Sequence, residues 1–142
     1  MNSFKVHELT TKQQMHEQLH LITQLTSAIT LEKYSDMLDD MLAHGYRQIG
    51  VFDGDKCVAL SGFWISTKIY SGKYVELDNV VVDKAYRSQG LGKLMCDWIL
   101  EEAKDKGCKT AMLDAYIENE GAHTFYEREG FFKRGYHFIK HL

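Results

Sequence analysis

The sequence predicts an α/β (α+β) domain: a mixed central sheet of about six to seven strands flanked by about four helices. Three observations carry this expectation. Apolar residues recur at helical spacing over 11–44 and 91–106, they alternate over short runs between those stretches, and from residue 74 the order becomes strand, helix, strand, helix, strand. The 142 residues fit a single domain, 1–142, long enough to bury a core without disulfides or metals.

The elements follow in order. Phe4 to Leu9 alternates and predicts a short edge strand. Residues 11–26 predict a helix, with Met15, Leu19, Ile22 and Leu25 on one face and Thr10 or Thr11 as N-cap. A second helix is predicted over 31–44 from Leu31, Tyr34, Leu38, Met41 and Leu42, with Gly45 where a C-terminal cap belongs. Tyr46–Phe52, Lys56–Ser66 and Tyr74–Val82 predict three strands of an antiparallel meander, punctuated by Asp53-Gly54-Asp55 and Ser71-Gly72. Leu91–Lys106 predicts a helix ended by Gly107, Cys108–Tyr116 a strand, Asn119–Arg128 a helix closed by Gly130, and Phe131–Ile139 a last strand. The chain has no proline, so its turns must rely on Gly, Asp and Asn.

Composition narrows the function. A net charge of −3 implies no strongly basic surface, so no nucleic-acid partner is expected. No run approaches the roughly 18 apolar residues of a membrane span, and the first residues lack the apolar stretch of a signal peptide. No membrane partner and a cytoplasmic location are therefore expected. Three cysteines, none in a CxxC pair, fit a reducing compartment, and Cys96 falls in an apolar helical run where a buried thiol is expected. Seven histidines are scattered without a metal-binding pattern, so no metal is expected.

The chemically informative stretch is Val80-Val81-Val82-Asp83-Lys84-Ala85-Tyr86-Arg87-Ser88-Gln89-Gly90-Leu91-Gly92-Lys93: an apolar strand, a polar loop, and a glycine-bearing turn that opens a helix. The first turn of a helix offers unpaired N–H groups and a partial positive charge. Gly90 and Gly92 clear side chains from an anion's approach, and Arg87 and Lys93 add positive charge. The glycines could instead only shape a tight connection. The spacing is neither that of a P-loop nor, with Met95 where a third glycine belongs, that of a dinucleotide-binding turn.

Arg87-Ser88-Gln89-Gly90-Leu91-Gly92 resembles the (Q/R)xxGx(G/A) acetyl-CoA signature of the GNAT acetyltransferase superfamily. Asn119 to Phe131 resembles that superfamily's second motif, N-x-x-(A/G)-x-x-(F/L)-Y-x-x-x-G-F. The resemblance spans about residues 46–139 and departs in having Asp83-Lys84 where a proline is frequent. It implies the GNAT fold and an N-acetyltransferase that moves an acetyl group directly from acetyl-CoA to a primary amine, borne by a small molecule or a protein. An acyl-CoA-binding regulatory domain without catalysis is the alternative on the same fold.

By resemblance, the strand before the signature splays from its neighbour, and the pantetheine arm pairs with main-chain groups at Val80 and Val82. The diphosphate sits on the amides of Ser88, Gln89, Gly90, Leu91, Gly92 and Lys93, aided by Arg87, and Asn119 hydrogen-bonds the arm unless it serves as a helix N-cap, or does both. Tyr126 matches the tyrosine that protonates the leaving thiolate, for which a phenol is well matched in basicity, while Phe125 is expected in the core. Glu76, eleven residues before Arg87, holds the place of a glutamate base; Asp78, on the same strand face, is the other candidate, and a water chain a third. Relatives are often homodimers, which leaves a homodimer open here. Asp36, Asp39, Asp40, Glu76 and Asp78 suggest a cationic acceptor such as a polyamine, an aminoglycoside, a lysine side chain or a protein N-terminus, with a solvated helix face the alternative reading of the first three.

Overall fold

A computed structural model describes residues 3–142. In chain order these form β1 (Phe4–Leu9), α1 (Lys12–His16), α2 (Leu19–Leu25), α3 (Leu31–Ala43), β2 (Arg47–Asp53), β3 (Lys56–Lys68), β4 (Gly72–Val82), α4 (Leu91–Asp105), β5 (Thr110–Met112) and α5 (Glu120–Arg128), with a 3₁₀ turn at Lys84–Tyr86 between β4 and α4. The strands make one sheet in the order β1-β2-β3-β4-β5. The first four are antiparallel neighbours, and β5 lies parallel to β4, as a strand reached through the α4 crossover must.

Local chemistry explains most boundaries. The Thr11 hydroxyl accepts the Gln14 N–H at 3.1 Å, and the Gln14 side chain reaches back to the Thr11 N–H at 3.0 Å, a capping box that starts α1. The Thr30 hydroxyl caps α3 by accepting the Lys33 N–H at 3.1 Å. Each face of the sheet carries its own core. Ile49, Val51, Val58, Phe63, Val75, Leu77, Met95 and Ile99 pack between sheet and α4. Leu9, Met15, Leu21, Tyr34, Leu38, Tyr46, Leu60 and Val81 pack beneath α1–α3.

Three expectations are corrected. The helix predicted over 11–26 is two helices, because Gln18 leaves helical geometry and donates its N–H to the Met15 carbonyl at 3.1 Å. The break rotates α2, so Leu21 is buried where Leu25 was expected to be, and it raises the helix count to five. The strand predicted over 108–116 forms only at Thr110–Met112. The strand predicted over 131–139 does not form. The Phe131 N–H turns back to the Tyr126 carbonyl (2.9 Å), and the chain beyond has no strand partner among the described residues, leaving Phe132, Tyr136 and Phe138 78–92% exposed. The sheet thus has five strands, fewer than expected. A strand-forming pattern needs a neighbouring edge to form on, and β5 offers three residues.

One irregularity matters for the site. Leu60 pairs with Val81 but Gly62 with Asp78, so Ser61 faces both Asn79 and Val80, a β-bulge in β4. Asn79 takes the left-handed conformation, φ +54°. Side chains alternate along a strand, so one extra residue exchanges the faces. Before the bulge Val75 and Leu77 face α4; after it Val80 and Val82 do, and Val81 joins the opposite core.

Candidate active site

The signature segment folds as a turn that opens α4 with its first amides unpaired. Helix α4 is preceded by Ser88 at φ +64° and by Gly90 at φ +80°, which is its N-cap and has no side-chain capping bond. The Leu94 N–H makes the first intrahelical bond, to the Gly90 carbonyl at 3.1 Å. The amides of Leu91, Gly92 and Lys93 are therefore left without intrahelical acceptors. A side chain at Gly90 would project into open space, which is where an anion could approach those amides. Gly92 is different. A Cβ there would lie 3.4 Å from the Phe125 ring, so Gly92 also lets α5 close against α4. Phe125, expected in the core, is half-buried over Gly92 instead.

The expected cations divide. Arg87 is exposed and without an ion-pair partner among the described residues. The Lys93 ammonium bonds Glu129 at 3.1 Å and Asp97 at 3.3 Å, so its contribution to the turn is its backbone N–H. Ser88, Gln89 and Gly90 are exposed, whereas the Leu91 side chain is buried and anchors α4 to the sheet.

Leading into this turn, β4 is open along one side. Its pairing with β5 ends at Glu76 opposite Met112. From Leu77 to Val82 the β5-facing backbone has no strand partner among the described residues. Val80 and Val82 direct their side chains into the α4-side core, which leaves their main-chain groups to serve as an edge for an extended ligand.

Helix α5 supplies Tyr126. Its ring packs edge-on between Phe125 and Phe131, centroids 4.9 and 5.6 Å apart, against the α4-side core. Burial, then the neighbouring Cys96, pushes its pKa up to about 12, so the phenol keeps its proton throughout the neutral range. Its hydroxyl makes no hydrogen bond among the described residues. Asn119 is the N-cap of α5, its Oδ1 accepting the Ala122 N–H at 3.1 Å. The capping role occupies the oxygen and leaves its NH₂ group as a donor.

On the opposite face, a cavity of about 470 Å³ opens beside the end of the β4–β5 pairing. Its walls include Trp64, Tyr74, Glu76, Asp78, Asp114 and His44. Glu76 and Asp78 share this face of β4 as their spacing requires. The Trp64 indole N–H donates to Asp78 at 2.9 Å, and His137 pairs with Asp114 at 3.0 Å. Glu76 has no hydrogen-bond or ion-pair partner among the described residues. Burial first, then Asp114 and Asp78, raises its pKa above the ordinary carboxylate range, against the opposing pull of Lys68 and His137. Asp114 and Trp64 were not singled out from sequence. Asp114 lies in a run whose alternation was visible but whose strand proved short, and Trp64 looks like an ordinary strand aromatic.

An open strand thus runs into a helix start with unpaired amides, beside a cavity on the other sheet face. The chain belongs to the GNAT acetyltransferase family, whose sequence profile matches residues 13–131, and it is an acyltransferase. Glucosamine 6-phosphate N-acetyltransferase of Arabidopsis thaliana is 27% identical over 136 residues, covering 90% of this chain and 89% of that protein. The uncharacterized N-acetyltransferase YhdJ of Bacillus subtilis is 24% identical over 135 residues, covering 94% and 95%. Among solved structures, the aminoglycoside N-acetyltransferase AAC(6')-Iy in complex with CoA superposes with a TM-score of 0.86 at 14% identity, covering 100% of this chain and 96% of that one. The family uses acetyl-CoA, and no helix among the described residues is long and apolar enough to cross a membrane.

Proposed function

We propose that this chain transfers an acetyl group from acetyl-CoA directly to a primary amine bound in the cavity beside Glu76. The observation that carries the reading is the unpaired Leu77–Val82 edge of β4 leading straight to the uncapped start of α4. These residues fit acetyl-CoA. The main-chain groups of Val80 and Val82 hold the extended arm. The amides of Ser88, Gln89, Gly90, Leu91, Gly92 and Lys93, with the Arg87 guanidinium, hold the diphosphate. The Asn119 NH₂ group donates to the arm.

The acetyl group supplies an electrophilic carbonyl, and the protein's residues manage its protons and charge. Glu76 takes one proton from the substrate ammonium, directly or through water, and so frees the nitrogen lone pair that attacks, with Asp78 the alternative base. The nitrogen loses its second proton as the amide forms, and that proton replaces the one Tyr126 gives to sulfur. A free N–H on the open edge of β4 stabilises the oxygen as the amine nitrogen bonds to the carbonyl carbon. As the carbon–sulfur bond breaks, Tyr126 gives its proton to the leaving thiolate. Burial keeps the phenol protonated at neutral pH, and the raised pKa, about 12, makes the transfer depend on the thiolate's own charge developing beside it.

The cavity favours a cationic acceptor, because Glu76, Asp78 and Asp114 line it and no Lys or Arg does. Three of the curated relatives act, by name, on phosphate- or phosphonate-bearing amines. A cavity with this lining suits a polyamine, an aminoglycoside or a lysine side chain better. We also infer a homodimer in the cytoplasm. The three free thiols suit a reducing compartment. The exposed, strand-patterned segment carrying Phe132, Tyr136, Phe138 and Ile139 needs an edge that a second copy can provide. Thiol release from acetyl-CoA across a panel of polyamines, aminoglycosides, peptides and glucosamine 6-phosphate tests the reading, and light scattering tests the dimer. Release with no amine at all, or with the phosphorylated sugar alone, refutes the acceptor assignment, and a monomer at micromolar concentration refutes the dimer.

A further inference from the structure

The bulge at Asn79 sits three residues past the last β4–β5 pair and immediately before the main-chain groups assigned to the acetyl donor. A non-glycine residue at φ +54° is uncommon, and asparagine is among the side chains that tolerate it best. Here its side chain is held by a buried phenol. The Asn79 NH₂ group donates to the Tyr46 hydroxyl at 3.3 Å, and the same oxygen accepts the Gln48 NH₂ group at 3.1 Å. Gln48 is fully buried and also donates to the Tyr34 hydroxyl at 3.3 Å, which ties the arrangement to α3. Tyr46 is 4% exposed, and burial raises its pKa, so the phenol stays neutral. The ring can occupy this place only because β3 has a glycine opposite. A Cβ at Gly62 would meet Tyr46 Oη, Cε1 and Cζ at 2.2 to 2.5 Å.

Gly62, Tyr46 and Asn79 therefore fit as one device: a gap in β3, a ring that fills it, and a bulge residue clamped by the ring's hydroxyl. The bulge exchanges the faces of β4, so it decides in which direction the N–H and C=O groups of Val80 and Val82 point. We propose that Asn79, held by Tyr46, is a positioning residue for acyl transfer. It fixes the open β4 edge in the direction the acetyl donor needs and touches neither substrate itself. The inference rests on the acetyltransferase reading above.

The test uses the whole 142-residue chain with Tyr46→Phe, which keeps the ring over Gly62 and removes the hydroxyl, and Asn79→Gly, which keeps a backbone at ease with positive φ and removes the amide. Amide hydrogen exchange across 79–82, acetyl-CoA affinity by calorimetry, and kcat and KM with the best amine are measured well below the unfolding midpoint. Each single variant is expected to speed exchange over 79–82 at least tenfold and to lower kcat at least tenfold. KM for the amine should stay within about threefold, while affinity for acetyl-CoA falls at least threefold, because the main-chain groups that hold its arm are no longer fixed. The double variant is expected to be no slower than the worse single, because both break one contact. Wild-type kcat in the folded singles overturns the inference, and so do losses that multiply in the double variant. Failure of the wild type to bind acetyl-CoA would instead overturn the acetyltransferase reading, so the two failures are told apart.

Discussion

Replacing Gly62 with alanine puts one methyl group where the Tyr46 ring already is. The new Cβ would lie 2.2 Å from Tyr46 Oη, 2.4 Å from Cε1 and 2.5 Å from Cζ, far inside contact distance. The backbone of β3 is fixed by pairing on both sides, with β2 and β4, so the ring must move. Overpacking of this kind costs about 1–3 kcal/mol. A displaced Tyr46 also loses the amides of Gln48 and Asn79; the fully buried Gln48 keeps its bond to Tyr34, and leaving its other N–H unpaired adds about 1–2 kcal/mol. The sum is about 2–5 kcal/mol, or a fall in melting temperature on the order of 10 °C for a chain of this size. Urea unfolding of wild type, Gly62→Ala, Tyr46→Ala and the double variant separates the clash from other effects. In the Tyr46→Ala background the ring is gone, and the alanine should cost nothing or stabilise slightly, since glycine is the poorer strand residue. A Gly62→Ala protein within about 0.5 kcal/mol of wild type, or an equal cost in both backgrounds, would refute the argument.

Tyr126→Phe should lower kcat by about 10²-fold or more while acetyl-CoA affinity, read by calorimetry, stays unchanged, because only the proton donor is lost. Glu76 must be ionised to act as a base and its pKa is raised by burial, Asp114 and Asp78. The rate should therefore fall as pH drops through that raised value. Asp114→Asn removes a like charge and should move the acid limb of the kcat/KM profile to lower pH, and Glu76→Gln should abolish that limb. Gly90→Ala meets no atoms but forces a left-handed backbone at φ +80°. It should cost about 1–2 kcal/mol in urea unfolding and weaken acetyl-CoA binding measurably.

Much of this could be read from residue order. The strand–loop–helix of residues 80–106 and the capped α5 carry their own signals in glycine spacing, apolar period and the Asn119 cap, and the structure places them as expected. Features set by long-range contacts could not be read. In Tyr74–Val82 almost every position from Val80 on is apolar, so alternation cannot reveal that the faces exchange at Asn79. That exchange depends on Tyr46, thirty-three residues earlier. Residues 11–26 carry a continuous helical pattern, and only the buried Gln18, which breaks it, reports that two helices are packed in place of one. Phe131–Ile139 has the composition of a strand, but composition does not supply the edge it would pair with. Trp64 and Asp114 were missed because each becomes part of the cavity only once β3, β4 and the end of β5 are brought together.

The reversal of faces along β4 also separates two kinds of evolutionary freedom. Val75, Leu77, Val80 and Val82 answer to the packing of α4 and are constrained together. Glu76 and Asp78 interleave with them but look into a solvent-reachable chamber. As the proposed base, Glu76 is kept for its proton transfer, and changes at Asp78 and the other walls of that chamber can redraw which amine is accepted while the packing beneath α4 is inherited intact.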